Sequence, residues 1–489
     1  MVMLTARNLR HALRRFAREP LFTAVTLLTL GLGIGAGTAV YSVVDGVLLE
    51  PLPYSEPAEL VTVVHAAPGL DVDRVPNSRS AHVVYEELSR SFQAMALHSG
   101  TSVTLTGSGD PARLTARRIT PSLFDVLRVQ PALGRPFTRE EGREGGEAVV
   151  LLSHGLWQER FGADPATVGR TVLLNGRSHE IVGVMPQGFA FPHPDVRLWL
   201  PLVTDPASAS FQGFNEEGIA RLAPGVTPEA AGREIQSLIP RLLERYPDFT
   251  PALLERMGLR ARVHPYMDDV VGEVRTALWI LLGTVAFVLL IACANVANLM
   301  LVRAEGRRRE LALRSAIGAQ RTDLLSQHLT ESLALTAAGA ALGLGLAWQG
   351  LVLLRRLGGD TVPRLEEVGL DGSVLLFTMG VTALAAVTFA LIPVFRHRAL
   401  RPAEELRDGS RSSTGGQRGI RARELLVGGQ VALALVLLVG SGLMLRSFSA
   451  LRGGDPGFQA EDVLTFRVSL PSSSYGSPEE IASFHQRFL

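Results

Sequence analysis

The chain has 489 residues, of which 47% are apolar and 19% are charged, and its mean hydropathy is +0.22. An average globular protein has about 25% charged residues, and disorder requires high charge with low hydropathy, so this composition excludes a disordered chain and favours a membrane protein. Every one of the 48 basic residues is arginine, which excludes a Schiff-base lysine and the lysine of a phosphate-binding loop. The single cysteine, Cys293, excludes an intrachain disulfide framework and a multi-cysteine metal site.

Five long stretches contain no arginine, aspartate or glutamate. They are residues 21–44, 277–301, 332–354, 374–395 and 425–445. A helix of about 20 apolar residues crosses a bilayer, and a charge at its centre costs about 3 kcal/mol. The pattern therefore predicts a multi-pass α-helical membrane protein, with spans at 21–49, 277–301, 329–354, 374–395 and 425–446. The first stretch is too long for the apolar part of a signal peptide, about 7–15 residues, and is predicted to be a retained span.

The distribution of arginine predicts the orientation. Three segments have net charges of +4, +3 and +4, namely residues 1–20, 302–328 and 396–424. Residues 50–276 hold 22 arginines against 28 acidic residues. Because cytoplasmic loops are enriched in arginine, we expect the three basic segments to be cytoplasmic. Residues 50–276, the short loop 355–373 and residues 447–489 are then predicted to lie outside.

Residues 50–276 contain no stretch that resembles a span, and their pattern predicts a folded α+β domain. The apolar run 147–152 is typical of a buried strand, Ser153 is a candidate N-cap for the helix that follows, and Gly162 is its expected stop. Residues 227–246 have the apolar spacing of an amphipathic helix.

A β-hairpin is predicted around Asn175 and Gly176, since this dipeptide separates two short runs, 171–174 and 178–184. The proline-spaced residues 185–202 that follow are predicted to form an irregular extended strip.

Residues with catalytic or metal-binding spacing are lacking, since no H-E-x-x-H or G-x-S-x-G motif occurs. The sequence thus favours a binding or force-transmitting role over a hydrolytic or metal site.

Glycines spaced four apart occur in the first and third spans. They include Gly31 with Gly35 in the first span and Gly339 with Gly343 in the third. A phosphate-binding loop would need a strand before it and a helix after it in water. Inside an apolar helix, small residues at this spacing allow two helices to approach closely, so these glycines are predicted to pack helices.

The basic segment 302–328 interleaves charges with apolar residues in two short helical patterns, with a break at Gly318 and Ala319. It could be an ordinary positive-inside loop, or it could display a short charged helix for docking onto another protein. We call it the coupling segment.

Five runs of this sequence resemble the MacB/FtsX-type ABC transporter permeases. E-G-R-R-R-E-L-A-L-R-S-A-I-G-A-Q-R (305–321), with the later L-T-E-S-L, is similar to the segment after the second span in that family. The other four runs resemble its periplasmic core domain and stand in family order; they are P-S-L-F-D-V-L-R-V-Q-P-A-L-G-R-P-F-T (121–138), V-V-L-L-S-H-G-L-W-Q-E-R-F-G-A-D-P (149–165), V-G-R-T-V-L-L-N-G (168–176) and I-V-G-V-M-P-Q-G-F-A-F-P (181–192).

The resemblance implies a permease without its own ATP-binding motif, not an enzyme, whose cofactor ATP is bound by a separate ABC ATPase subunit. It implies that the coupling segment docks on that ATPase through the following residues: Glu305, Arg308, Arg309, Glu310, Arg314 and Gly318. A second permease unit, as a dimer or an internal repeat, membrane lipid and a periplasmic adaptor are the further partners it implies; nucleic acid is not among them. It also implies a location in the bacterial inner membrane, and the expected action is mechanotransmission for efflux or envelope transport.

Other functions are compatible with the sequence. Within the family they are lipoprotein release and FtsX-like control of envelope processes; outside it, a membrane-anchored sensor or scaffold without an ATPase. The fifth span and residues 447–489 resemble the start of a second family unit, as in the duplicated orphan permeases of the acidobacterial type. We expect that second copy to be truncated and poorly ordered, since about 40 residues cannot form a comparable core.

Overall fold

The chain divides into two compact units, which are described separately. The computed structural model describes residues 14–107, 109–204, 213–246, 250–306, 321–358, 363–397, 416–452, 468 and 477–488. The helical unit comprises Met1–Glu50 with Glu273–Val463, and the sheet unit comprises Pro51–Gly272 with Leu464–Leu489.

The helices are named in chain order. They are α1 (Pro20–Val44), α2 (Arg79–Leu88), α3 (Leu123–Leu127), α4 (His154–Phe161), α5 (Pro228–Arg245), α6 (Pro251–Met257), α7 (Tyr266–Gly306), α8 (Arg321–Gly358), α9 (Gly372–His397), α10 (Gly416–Arg452) and α11 (Pro478–Phe488). A π-helical turn, Asp45–Leu49, continues α1.

The sheet unit is built on one mixed sheet. Its strands are β1 (Leu60–Ala67), β2 (Val72–Val75), β3 (Phe92–Thr106), β4 (Ala112–Ile119), β5 (Leu133–Gly134), β6 (Val149–Leu152), β7 (Thr171–Leu174), β8 (Arg177–Val184), β9 (Leu198–Pro201), β10 (Glu217–Leu222) and β11 (Arg260–Pro265). The order is β11-β1-β10-β3-β4-β9-β6-β8-β5, with β2 beside β1 and β7 between β3 and β8. The β4–β9 and β6–β8 pairs are parallel and the others antiparallel.

The predicted local elements of this unit are confirmed where turn chemistry specifies them. Ser153 caps α4, its hydroxyl accepting a hydrogen bond from the Leu156 amide, and the helix ends at Gly162 with φ 63°. Asn175 and Gly176 both have positive φ between β7 and β8, as a tight hairpin requires. The amphipathic helix predicted over residues 227–246 is confirmed as α5, and the Thr227 hydroxyl caps it by accepting a hydrogen bond from the Ala230 amide.

One expectation for the sheet unit is corrected. Residues 185–202 are not irregular throughout, because β9 forms inside the sheet between β4 and β6. The indole of Trp199 in β9 is buried and donates to the carbonyl oxygen of Phe191 at 3.0 Å. Burying this large side chain stabilises the strand within the sheet, even though the segment contains several prolines.

The buried guanidinium of Arg221 joins β10 to the start of the sheet unit. Its side chain is 1% exposed, and it donates to the backbone oxygens of Val126 and Ser55, each at 2.8 Å. It also pairs with Glu59 at 3.1 Å. Because a buried charge is tolerated only with such partners, Arg221 fixes the segment that precedes β1.

Three buried histidines lie in the same unit. His65 Nε2 is 2.9 Å from the Tyr85 hydroxyl, and His98 stacks edge-on against Phe191 with ring centroids 4.8 Å apart. Burial lowers the pKa of His65 and of His82 to about 4. Burial, followed by the nearby charge of Arg117, lowers the pKa of His98 to about 3. All three side chains are therefore neutral in the folded protein near neutral pH.

The helical unit contains, within the described ranges, five helices long and apolar enough to cross a membrane, as the sequence predicts. These spans 1 to 5 are Pro20–Leu49, Val274–Arg303, Leu329–Leu357, Gly372–Ala390 and Val427–Ser447. The helices that contain spans 2 and 3 extend beyond the predicted limits, since α7 begins at Tyr266 and α8 at Arg321. A helix satisfies its own backbone hydrogen bonds inside and outside lipid, so the boundary of the apolar stretch does not end it.

Spans 1 and 3 approach closely at the glycines singled out in the sequence. A Cβ built on Gly35 would lie 2.8 Å from the carbonyl oxygen of Gly343, and one on Gly343 would lie 3.0 Å from the Gly35 amide nitrogen. A Cβ on Gly31 would meet Leu342 at 2.8 Å, and one on Gly339 would meet Leu30 at 2.9 Å. A side chain at Gly35 or Gly343 would therefore push the two backbones apart.

Acid should destabilise the sheet unit. The unfolded chain protonates these histidines near pH 6.5, whereas the folded unit takes up those protons only at about pH 3–4. Between these values the unfolded state binds more protons, so the free energy of unfolding falls as pH falls, by up to ~1.4 kcal/mol per pH unit for each histidine. Hydrogen-exchange mass spectrometry of β1 and β3 between pH 7 and 5, corrected for intrinsic exchange, should show the loss. His82→Gln should reduce the slope and the exposed His485→Gln should not; equal slopes in both variants would contradict the assignment.

Gly343→Val should destabilise the helical unit by about 1–3 kcal/mol, because the added side chain meets the backbone of span 1. Gly345→Val is the matched control on the same helix, since a Cβ at Gly345 meets nothing within 4 Å. Cys293 lies against the core of spans 1 to 4, so its reaction with a thiol-specific dye during heating reports unfolding in detergent. The Gly343→Val midpoint should fall and the Gly345→Val midpoint should stay near the parent value. Equal midpoints would show that the close approach is not needed.

Candidate functional site at the ends of spans 1, 2 and 3

An ion-pair cluster connects one end of spans 1, 2 and 3. Arg303, at the end of span 2, places Nε 3.0 Å from Glu19 Oε2 and Nη1 3.2 Å from Glu331 Oε1. Arg15 reaches the other oxygen of Glu331 at 3.0 Å. The Arg303 guanidinium also lies 4.5 Å from the ring centroid of Phe22, a cation–π contact. Two cations and two anions therefore join the three spans.

The centre of this cluster is largely withdrawn from water. The side chains of Arg303 and Glu331 are each 9% exposed, so salt screens their attraction less than that of a surface pair. Removing one partner of a buried pair leaves the other charge uncompensated and typically costs about 3–5 kcal/mol. The arrangement thus favours movement of the three span ends together over movement of any one alone.

The cluster lies at the two ends of the coupling segment. Arg303 lies at the start of residues 302–328, and Glu331 lies three residues beyond their end. The Arg303–Glu331 pair therefore joins the two chain ends from which the segment emerges, and Glu19 and Arg15 attach them to span 1.

The residues predicted to dock on an ATPase fall on the segment itself. Glu305 lies in the last turn of α7, where its side chain is outside the described set. The remaining predicted docking positions lie outside the described residues; they are Arg308, Arg309, Glu310, Arg314 and Gly318. The predicted packing glycines lie at the interface between spans 1 and 3.

The sequence alone did not indicate which carboxylates form ion pairs with Arg303. Glu19 and Glu331 are single carboxylates beside apolar stretches, and Glu331 belongs to the L-T-E-S-L run. The sequence contained one indication of these ion pairs: an acidic residue stands beside one span and an arginine stands beside the next.

A second contact, at the other end of span 1, was also missed. Arg364, in the loop after span 3, donates from Nη1 to the carbonyl oxygen of Glu50 at 2.7 Å and pairs through Nη2 with Glu367 at 2.8 Å. The same loop packs on the π-helical turn, where a Cβ on Gly46 would lie 3.1 Å from Val368. Arg364 itself has φ +60°, a conformation uncommon for a non-glycine residue. The contact holds the end of span 1 against the loop between spans 3 and 4.

Spans 1 and 4 are connected along their length by paired side chains. The hydroxyl groups of Thr38 and Thr378 are 3.0 Å apart. The rings of Tyr41 and Phe377 stack with centroids 4.0 Å apart and an interplanar angle of 2°. Among the residues that the structure describes, no group of three or more side chains could hold a metal ion.

Two protein families match the chain. The MacB-like periplasmic core domain matches residues 23–238, and the FtsX-like permease C-terminal domain matches residues 282–402. The chain is 23% identical over 411 residues to the uncharacterized ABC transporter permease YknZ of Bacillus subtilis, covering 82% of this chain and 98% of that protein.

Longer relatives match over part of their length. The macrolide export ATP-binding/permease protein MacB of Bdellovibrio bacteriovorus is 27% identical over 293 residues, which are 59% of this chain and 43% of that protein. The chain thus spans less than half of that relative. The crystal structure of the periplasmic region of MacB from Actinobacillus actinomycetemcomitans aligns with 47% of this chain and 95% of its own, at 15% identity and a TM-score of 0.33.

The two matched domains together occupy more than half of the sequence and follow the order of the sheet unit and the later spans. The chain belongs to the ABC transporter permeases that combine a MacB-like periplasmic core domain with an FtsX-like permease domain.

Proposed function

We propose that this chain is the permease subunit of an ABC-type export or mechanotransmission complex of the bacterial inner membrane. A separate ATPase subunit docks on the coupling segment, and its ATP-driven motion passes through the spans to the sheet unit on the periplasmic side. The observation that carries the proposal is the Arg303–Glu331 pair, which joins both ends of the coupling segment to span 1.

The first step is the transfer of motion from the segment to the spans. A force on residues 302–328 acts on Arg303 and Glu331 together, and through Glu19 it acts on span 1. The cluster is mostly buried, so its ion pairs resist separation more than surface pairs do.

The second step is the transfer along span 1. Gly35 and Gly343 bring the backbones of spans 1 and 3 so close together that neither position has room for a side chain, and Arg364 holds the far end of span 1. Span 1 precedes the sheet unit in the chain and span 2 follows it, so a shift of either span acts on a covalent end of the sheet unit.

In the proposed complex, the partner ATPase binds ATP and this chain does not. A Walker A motif requires a lysine, and these 489 residues contain none. The arginine content of segments 1–20, 302–328 and 396–424 supports a cytoplasmic position for the coupling segment. Family units work in pairs, so a second permease unit completes the complex, and a periplasmic adaptor is a further partner.

Reversing the charges of Arg308, Arg309 and Glu310 should abolish recovery of the ATPase. The tagged chain would be purified from native membranes in mild detergent and its partners identified by mass spectrometry. An ABC-type ATPase at near-equal stoichiometry, lost in the variant, is the expected result. Reversal of Arg418, Arg421 and Arg423, in another predicted cytoplasmic segment, is the control and should leave recovery unchanged. Recovery of envelope proteins without an ATPase would replace the proposal with a sensor or scaffold.

Glu331→Gln should uncouple the ATPase without releasing it, because Arg303 loses its least exposed partner. We expect the ATPase to copurify as with the parent chain. The change in hydrogen exchange that a non-hydrolysable ATP analogue produces in the sheet unit should be reduced at least severalfold. Glu424→Gln, an exposed carboxylate before span 5, is the matched control and should retain the full change. An undiminished response in Glu331→Gln would show that the cluster does not transmit motion.

A further inference from the structure

An open groove of about 710 Å³ runs between α5 and β11 of the sheet unit. One wall is the first half of α5, with Pro228, Gly232 and Arg233, and the other is β11 from Arg260 to His264. In the described part of the sheet, β11 is an edge strand whose neighbour is β1. The groove therefore gives access to the unpaired side of a strand.

The side chain of Gln236 already pairs with this edge as a peptide group would. Its Nε2 donates to the Leu259 carbonyl oxygen at 3.3 Å, and its Oε1 accepts from the Ala261 amide at 2.7 Å. A residue of an added parallel strand would make the same two bonds, one to each neighbour of Arg260. Because backbone groups alternate in direction along a strand, the Ala261 carbonyl and the Val263 amide face the groove next. The edge thus continues a hydrogen-bonding ladder that Gln236 begins.

The charge of the groove is opposite to that of the domain around it. Residues 50–276 carry 22 arginines and 28 acidic residues. Among the residues that line the groove, Arg233, Arg260 and Arg262 stand against one acid, Glu229. Arg233 and Arg260 are exposed, and within the described residues neither guanidinium has a hydrogen-bond or ion-pair partner.

These features together favour an acidic peptide over a free anion or an apolar ligand. Strand addition supplies main-chain hydrogen bonds, and side chains beside the edge supply specificity. Grooves between an edge strand and a helix are used in this way by peptide-binding domains. A basic rim selects a negatively charged segment by electrostatic complementarity.

We infer that the groove between α5 and β11 binds an extended acidic peptide segment of another protein, which adds a strand to β11 with its carboxylates at Arg233 and Arg260. The inference does not depend on the proposed ATPase coupling. It adds a docking surface on the sheet unit for a partner that carries such a segment.

The test is binding of a fluorescein-labelled peptide of about seven residues, in which Glu alternates with Val, to the full chain in detergent. Fluorescence anisotropy measures the affinity. Arg233→Glu combined with Arg260→Glu should weaken binding about tenfold or more, whereas Arg177→Glu, an exposed arginine on the β7–β8 hairpin, should leave it unchanged. Gly232→Leu should also block binding by filling the groove without changing its charge. A Cβ at Gly232 meets Val263 only at 3.8 Å, and leucine favours a helix more than glycine does.

Two further peptides distinguish the sources of affinity. A peptide with Pro in place of Val keeps the negative charges but loses the amide donor of every second residue and cannot extend a regular ladder, and it should bind at least tenfold more weakly. A peptide with Lys in place of Glu should not bind. Equal binding of the proline peptide would show simple anion attraction and overturn strand addition. Absence of binding by the Glu–Val peptide would show that the arginines only guard an edge strand against pairing.

Discussion

The contact between the backbones of Gly35 and Gly343 is the constraint on which the helical unit depends. With a Cβ at either position 2.8–3.0 Å from backbone atoms of the other helix, spans 1 and 3 have no room to accommodate a side chain. Small residues give such contacts their stability in lipid, where no hydrophobic force draws two helices together. The ion pairs of Arg303 at one end and the bonds of Arg364 at the other then act on helices already held at a fixed separation.

The two ends of span 1 are held by different chemistry. At the Arg303 end, four charged side chains neutralise one another in a largely buried cluster. At the Arg364 end, a guanidinium donates to backbone oxygens of the π-helical turn. π-Helical turns often occur at functional sites, and here the turn lies directly before the segment that enters the sheet unit. Span 1 is therefore held at both of its ends, by ion pairs at one end and by hydrogen bonds to its backbone at the other.

The sheet unit combines a polar interior with an open edge. Arg221 is buried yet fully engaged, so it orders the entry segment without an uncompensated charge. The buried histidines are neutral at neutral pH because burial disfavours their charged forms. At the other extreme, β11 keeps its outer side accessible and is flanked by exposed arginines. The well-packed interior therefore favours a rigid sheet unit, and the accessible edge of β11 favours the binding of a partner.

Features that depend on local chemistry along the chain could be predicted before the fold was known. The lengths of the apolar stretches predicted five spans, and the cap at Ser153, the Asn175–Gly176 turn and the amphipathic pattern after Thr227 predicted elements of the sheet unit. The matched runs identified the family. Each depends on neighbours within a few residues along the chain, so one sequence suffices. The glycine spacing indicated helix packing but named no partner helix.

Contacts between residues far apart in the chain could be recognised only in the folded protein. Arg303 and Glu19 are 284 positions apart. Nothing in the sequence around either residue predicts that they pair, because each could form an ion pair with another charged side chain. The incorporation of β9 into the sheet was missed for the same reason, since its stability comes from neighbours β4 and β6. The unpaired side of β11 became visible only when the strand order was known. Contacts of this kind are set by the packing of the whole chain, which residue spacing alone does not specify.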